Sequence, residues 1–75
     1  MPADPVPLLP RTGDPRGWSR PARQTRAHVL YSDGCWRTCQ VLGWLGYRGR
    51  WYLQIRWPDG QVDWRAYDRR YIHPA

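Results

Sequence analysis

The stretch Arg50-Trp51-Tyr52-Leu53-Gln54-Ile55-Arg56-Trp57 alternates between apolar side chains and polar or amphipathic ones. A period of two residues is typical of a β-strand with one face buried and one face in water. Pro58-Asp59-Gly60 follows, where proline suits the first turn position and glycine accepts a left-handed backbone conformation. The stretch therefore predicts a strand that leads into a hairpin.

Similar signals occur on both sides of this hairpin. Further turns are predicted at Ser32-Asp33-Gly34 and at Gly46-Tyr47-Arg48-Gly49, and a bulge or bend at Gly43. They divide the rest of the chain into strands over residues 27–31, 35–45, 50–57, 61–66 and 71–73, with a single 3₁₀ turn over 67–70. So small a sheet must curl to cover its apolar face and protect its edges. We therefore predict an all-β fold, a five-stranded antiparallel SH3-like barrel.

The predicted core follows from the same alternation. It contains Trp51, Leu53, Ile55, Cys39, Val41 and Ile72. Trp57 is assigned either to the core or to the mouth of the barrel. Ten aromatic residues lie between Tyr31 and Tyr71, and a fold of this size can bury only some of them. The others are expected on a surface, where exposed rings among arginines commonly mark a binding site.

The N-terminal third of the chain has a different composition. Six prolines occur in the first 24 residues, and the apolar residues there show no periodicity. Proline removes backbone donors and fixes φ, so this stretch is a poor helix and a poor central strand. We predict a disordered or extended Pro/Arg-rich arm over residues 1–24 and the barrel over residues 25–75.

The charge of the chain is strongly basic and comes from one residue type. The chain contains twelve arginines and six aspartates but no lysine and no glutamate, which gives a net charge of +6. A GC-rich coding sequence would favour arginine over lysine without any functional cause. The physical consequence is the same, because a basic surface favours polyanions and guanidinium groups fit phosphate and stack on bases.

Several classes of protein are not expected from this sequence. No stretch reaches the roughly 18 apolar residues of a membrane span, and no signal peptide is recognisable, so a cytoplasmic location and reduced Cys35 and Cys39 are predicted. Only two histidines, His28 and His73, are present and no CxxC pair exists, which argues against a metal site. No nucleophile–base–acid set or phosphate loop is present. We therefore expect no enzyme, no cofactor, no metal and no small-molecule substrate.

Two parts of the chain resemble a known family. Tyr31-Ser32-Asp33-Gly34-Cys35, followed by Cys39-Gln40-Val41, resembles the first hairpin of Tudor domains. The strand over 51–57, then Asp63-Trp64 and the segment 67–72, is similar to the end of chromo-barrel and Tudor-knot domains. The resemblance covers about residues 27–74. It implies a small barrel with an open end that binds a ligand, and it leaves the ligand open.

The resemblance also implies a possible ligand class. In Tudor and chromo-barrel domains, three or four aromatic residues at one barrel end surround a methylated lysine or arginine. The positions that match here are Tyr31, Trp36, Trp57 and Trp64, although a shift of one residue would turn Trp36 to the other face. Ring faces attract cations. The net positive charge of the domain works against such a ligand.

Nucleic acid is the partner that the sequence favours most. Arginines and aromatic residues are interleaved on or between the predicted strands; the predicted contact residues are Arg37, Arg48, Arg50, Arg56, Arg65, Arg69, Arg70, Trp36, Tyr52 and Trp64. Guanidinium groups contact phosphates, and rings stack on bases. We predict a non-enzymatic module that contacts nucleic acid or acts within a nucleic-acid complex. The alternative is a protein-docking module, since exposed Trp, Tyr and Arg are enriched at protein interfaces.

Overall fold

The structure is a computed structural model that describes residues 4–13 and 20–75. Its strands are β1 (Arg20–Leu30), β2 (Trp36–Tyr47), β3 (Arg50–Arg56), β4 (Val62–Ala66) and β5 (Ile72–Pro74). They form one sheet in the order β4-β3-β2-β1-β5, and every neighbouring pair is antiparallel. The predicted all-β fold with five antiparallel strands is confirmed. Strand β1 begins well before the predicted start at residue 27.

One face of the curled sheet holds the core. The alternation of β3 is confirmed, because Leu53 and Ile55 are fully buried and Trp57 continues the same face beyond the strand. The other buried members of this cluster are Leu9, Ala27, Val29, Tyr31, Cys39, Val41 and Ile72. Trp51 was expected in the core, and that expectation is wrong, because 58% of its surface is exposed. It follows the alternation of β3 but lies beyond the end of the core.

A bulge in β2 changes which residues face the core. Val41 lies opposite Ile55, but Gly43 lies opposite Gln54, so Leu42 is one extra residue in β2. This register shift confirms the irregularity predicted at Gly43. Because of the extra residue, Trp44 lies opposite Leu53 and packs against the core cluster.

The antiparallel topology separates the turns between two ends of the sheet. The β1–β2 turn at residues 31–35 and the β3–β4 turn at residues 57–61 share one end. In each turn an aspartate accepts a bond from the backbone two residues later: Cys35 N–H donates to Asp33 and Gln61 N–H to Asp59. We name this the acidic end. The β2–β3 turn lies at the opposite end, which we name the hairpin tip (residues 46–51).

Part of the predicted arm belongs to the fold. Strands β4 and β5 are not hydrogen-bonded to each other, so the five strands do not form a closed sheet. Residues 6–12 contact both sides of this opening: Leu8 N–H donates to Leu30 O, and Ala66 N–H donates to Pro10 O. Isolated bridges join Pro7 to Tyr31 and residue 11 to residue 65. Residues 1–3 and 14–19 of the predicted arm lie outside the described residues.

The connection from β4 to β5 is short and runs from near the hairpin tip to the end of β1 at Leu30. Tyr67 N–H donates to Trp51 O near the hairpin tip, and Leu30 N–H donates to Tyr71 O near the far end of β1. A bond from Tyr71 N–H to Asp68 O closes a turn over residues 68–71, and the single 3₁₀ turn predicted over 67–70 is not confirmed. Among residues 4–13 and 20–75, no helix has the length and apolar character needed to cross a membrane.

Candidate nucleic-acid interface

Among the described residues, three arginines are engaged by aspartates. Arg37 binds Asp33, Arg65 binds Asp63, and Arg70 binds Asp68, with nitrogen–oxygen distances of 2.8, 3.0 and 2.6 Å. The hydrogen bonds from Arg37 lower the pKa of Asp33 to about 2, and those from Arg70 lower the pKa of Asp68. These guanidinium groups are therefore less available to an external anion.

Two of the predicted cage residues meet at the acidic end. Tyr31 and Trp57 pack edge to face with their ring centres 6.2 Å apart. The Arg37 guanidinium lies 4.3 Å from the centre of the Tyr31 ring, and that of Arg65 lies 4.8 Å from the centre of the Trp57 ring. Trp57 Nε1 also donates to Asp63 Oδ1 at 2.9 Å. The chain's own cations thus already contact the rings that a methylated ligand would need.

The other two cage positions lie elsewhere, so the structure does not bring the four rings together. Trp36 is 41% exposed, and its ring centre lies 4.0 Å from that of His73. The next residue, Arg37, contacts Tyr31 instead, because side chains alternate along β2. Trp64 likewise lies on the opposite face of β4 from its buried neighbour Arg65.

Arg65 differs most from its predicted role. It was expected to contact nucleic acid, but its side chain is buried. Nε and Nη2 donate to the two carboxylate oxygens of Asp63, and Nη1 donates to Leu9 O at 2.9 Å. A guanidinium group with these partners is a structural element that joins β4 to the N-terminal segment. We therefore leave Arg65 out of the candidate interface.

The face of the sheet opposite the core cluster carries several of the predicted contact residues together, and Leu45, the cross-strand partner of Tyr52, is buried on this face. On β3, Arg50, Tyr52, Gln54 and Arg56 alternate with the core residues, and Trp64 of β4 lies directly opposite Gln54. Cross-strand partners share a face, so a row runs from Arg56 through Gln40 to Arg26. We name this set the outer strip: Arg26, Gln40, Arg50, Tyr52, Gln54, Arg56 and Trp64. Arg26 was not predicted as a contact residue.

The arginines of the outer strip differ from the three paired ones. Arg26, Arg50 and Arg56 are exposed, and no aspartate in the described ranges lies within salt-bridge distance of them. The same holds for Arg48 in the hairpin tip and for Arg69 in the β4–β5 connection. Their positive charge therefore faces the solvent without a carboxylate from the described part of the chain.

The hairpin tip adds exposed rings to this basic surface. Arg48 and Gly49 both have positive φ, of 51° and 75°, which is the backbone of a tight two-residue hairpin turn. Tyr47 is half exposed, with the Arg48 guanidinium 5.2 Å from its ring centre. Trp51 completes the tip.

Sequence reasoning missed a cluster of three rings at this end. Trp44 lies between Trp51 and Tyr67, with ring-centre distances of 6.4 and 5.8 Å. We name these three residues the ring cluster. The bulge at Leu42 turns Trp44 toward this position, and a one-residue bulge is not visible in the alternation of a strand. The glycine at position 46, opposite Trp51, is the one sequence signal that indicates a ring lying against the backbone.

The cysteines lie apart from these surfaces. Cys35 is exposed in the first turn and Cys39 is buried, and both are free thiols. Burial raises the pKa of Cys39 to about 11. Within the described ranges, no three His, Cys, Asp or Glu side chains come close enough together to hold a metal ion.

Comparison with protein-family models, with curated proteins and with solved structures found no significant match to this chain.

Proposed function

We propose that the chain is a non-enzymatic, small SH3-like module that contacts nucleic acid through the outer strip. The observation that carries this proposal is the arrangement on β3 and β4. Arg50 and Arg56 lie on the same face as the half-buried rings of Tyr52 and Trp64. Both guanidinium groups are free of carboxylates from the described residues. Phosphate contacts and base stacking need these two kinds of group side by side.

The dimensions of the outer strip suit an extended polyanion. Arg50 and Arg56 are six residues apart on one strand, which corresponds to about 20 Å. Arg26 lies two strands away in the row of Arg56, so the basic surface continues across the sheet. Several phosphates along one backbone can therefore contact the strip at once.

The distribution of acids supports the same proposal. Asp33, Asp59 and Asp63 all lie at the acidic end. The hairpin tip, at the other end of β3, contains two arginines and no acid. This separation orients an approaching polyanion toward the tip and the Arg50 end of the outer strip.

The Tudor-like alternative, a reader of a methylated or otherwise cationic peptide, has less support. A cationic ligand at Tyr31 and Trp57 would have to replace Arg37 and Arg65, which already contact these rings. Protein docking is favoured by a different observation, the exposed rings at the hairpin tip. A cytoplasmic location stays a prediction from the sequence.

The proposal is tested by titrating a fluorescently labelled 20-nucleotide strand with the protein at 50 and 200 mM salt. We expect the logarithm of the affinity to fall with the logarithm of the salt concentration, by about 0.7 per phosphate contact for a single strand. Arg56→Ala should weaken binding several-fold and reduce that slope. Arg70→Ala removes the same charge from a residue already paired with Asp68, and its effect should be smaller.

Two outcomes would contradict the proposal. One is the absence of binding to any strand or duplex at 50 mM salt. The other is an equal loss of affinity for Arg56→Ala and Arg70→Ala, which would mean that only net charge matters. Salt-insensitive binding of an uncharged peptide instead would favour the protein-docking function.

A further inference from the structure

Trp51 is exposed, yet its ring is held in place. Gly46 lies opposite it on β2, and a Cβ atom at that glycine would lie 3.2 Å from the ring. Trp44 packs against the same indole at an interplanar angle of 83°. The backbone of Trp51 is also fixed, since its carbonyl accepts the bond from Tyr67 N–H at 2.8 Å. The structure thus presents a large ring to solvent in a defined orientation.

Tyr67 extends this surface on the other side of Trp44. It is 45% exposed, and its ring is tilted by 53° from that of Trp44. An apolar depression of about 380 Å³ borders Trp44 and Tyr67 and continues to Val41 and Ile72. Two exposed rings and an adjacent apolar space therefore lie together at one end of the fold.

The charges around the ring cluster select among ligands. Arg48 and Arg50 flank it in sequence, and residues 44–52 contain no acid. Asp68, next to Tyr67, is already engaged by Arg70. A cationic partner is disfavoured here, whereas a polyanion that also offers flat apolar faces matches both the charge and the rings.

We infer that the ring cluster of Trp44, Trp51 and Tyr67 stacks on unpaired bases, so that the nucleic acid bound by this protein is single-stranded. The inference rests on the proposed function and adds the ligand class. In a duplex the base faces are stacked on one another and only their edges are accessible in the grooves. An exposed, immobilised indole contributes to affinity only where a base face is free.

The test compares a labelled 12-nucleotide strand with the same strand annealed to its complement, at one low salt concentration. The 75-residue chain should bind the single strand more tightly and show quenching of its tryptophan fluorescence. Trp51→Leu should weaken binding of the single strand about tenfold, the effect of losing one stacked base. Its affinity for the duplex should change less than twofold.

Two further variants separate stacking from folding. Gly46→Val keeps the indole but places side-chain atoms where its ring now lies, so it should weaken single-strand binding while thermal unfolding remains cooperative. Trp36→Leu removes another exposed indole, which contacts His73 rather than the ring cluster, and should lose less affinity than Trp51→Leu.

The outcomes distinguish the inference from the proposed function. If Trp51→Leu and Gly46→Val bind the single strand as tightly as the unchanged protein does, or if the duplex binds more tightly, the inference is wrong. Salt-dependent binding that requires Arg56 would then still support the proposed function. If neither nucleic acid binds, both fail.

Discussion

The guanidinium group of Arg65 donates a hydrogen bond of 2.9 Å to the carbonyl oxygen of Leu9, 56 residues earlier in the chain. The same guanidinium is held by Asp63 and lies over the ring of Trp57. Leu9 in turn inserts its side chain into the core, where only 1% of its surface is exposed. The N-terminal segment is therefore attached both by a charged hydrogen bond and by burial of an apolar side chain.

The first prediction concerns the contribution of this segment to stability. Leu9→Ala removes a fully buried side chain and should lower the free energy of unfolding by about 2 to 4 kcal/mol. Leu8→Ala is the matched control, because the neighbouring leucine is exposed. It should change that free energy by less than about 0.5 kcal/mol. Urea denaturation of the two variants measures both changes, and equal effects would show that Leu9 is not part of the core.

The second prediction concerns stability in acid. The pKa of Asp33 is lowered from 3.8 to about 2, chiefly by the hydrogen bonds from Arg37. A lowered pKa means that the ionised form stabilises the folded state above about pH 4, and that this stabilisation is lost as the pH falls toward 2. Asp33→Asn should therefore lower the denaturation midpoint at pH 6.

The difference from the unchanged protein should shrink between pH 4 and pH 2. It should also be smaller at high salt, because the pair is partly exposed. The measurement is the urea midpoint at pH 6, 4 and 2. A difference that is as large at pH 2 as at pH 6 would show that Asp33 acts through its turn hydrogen bond alone.

The third prediction separates the two cysteines by reactivity. Cys35 is exposed, whereas Cys39 is buried and its pKa is raised to about 11. The thiolate is the reactive form, so Cys39 should react slowly in the folded protein. Iodoacetamide at pH 8 should add one label, at Cys35, and two labels in 6 M guanidinium chloride. Rapid double labelling of the folded protein, detected by mass spectrometry, would contradict the burial of Cys39.

Local signals in the sequence were sufficient for the sheet. Alternation over residues 50–57 predicted β3 and the burial of Leu53 and Ile55. Successive side chains of a strand point to opposite faces, so burial repeats every two residues. The Asp-Gly turns at residues 33–34 and 59–60 predicted the chain reversals, since the required backbone conformation depends on adjacent residues alone. The class of fold follows from these short-range rules.

Which residues make up the candidate interface could be determined only from the tertiary structure. Arg50, Tyr52, Arg56 and Trp64 were expected on the surface, but the cross-strand register is what places them on one face. Arg65 carries the same charge as these arginines and was assigned to the same role. Its burial depends on Asp63 and on a segment at the other end of the chain, which no local pattern encodes.

Two further features depended on contacts between distant residues. Prolines in residues 1–24 predicted an arm, because proline disfavours regular pairing, yet a few hydrogen bonds and one buried leucine suffice to attach residues 6–12 to the sheet. Trp51 follows the alternation of the core residues in β3 but is exposed, because burial of a side chain also requires a second element packed against it. Short-range chemistry thus sets which strands form, whereas the packing of distant segments decides which arginines and rings remain available to a ligand.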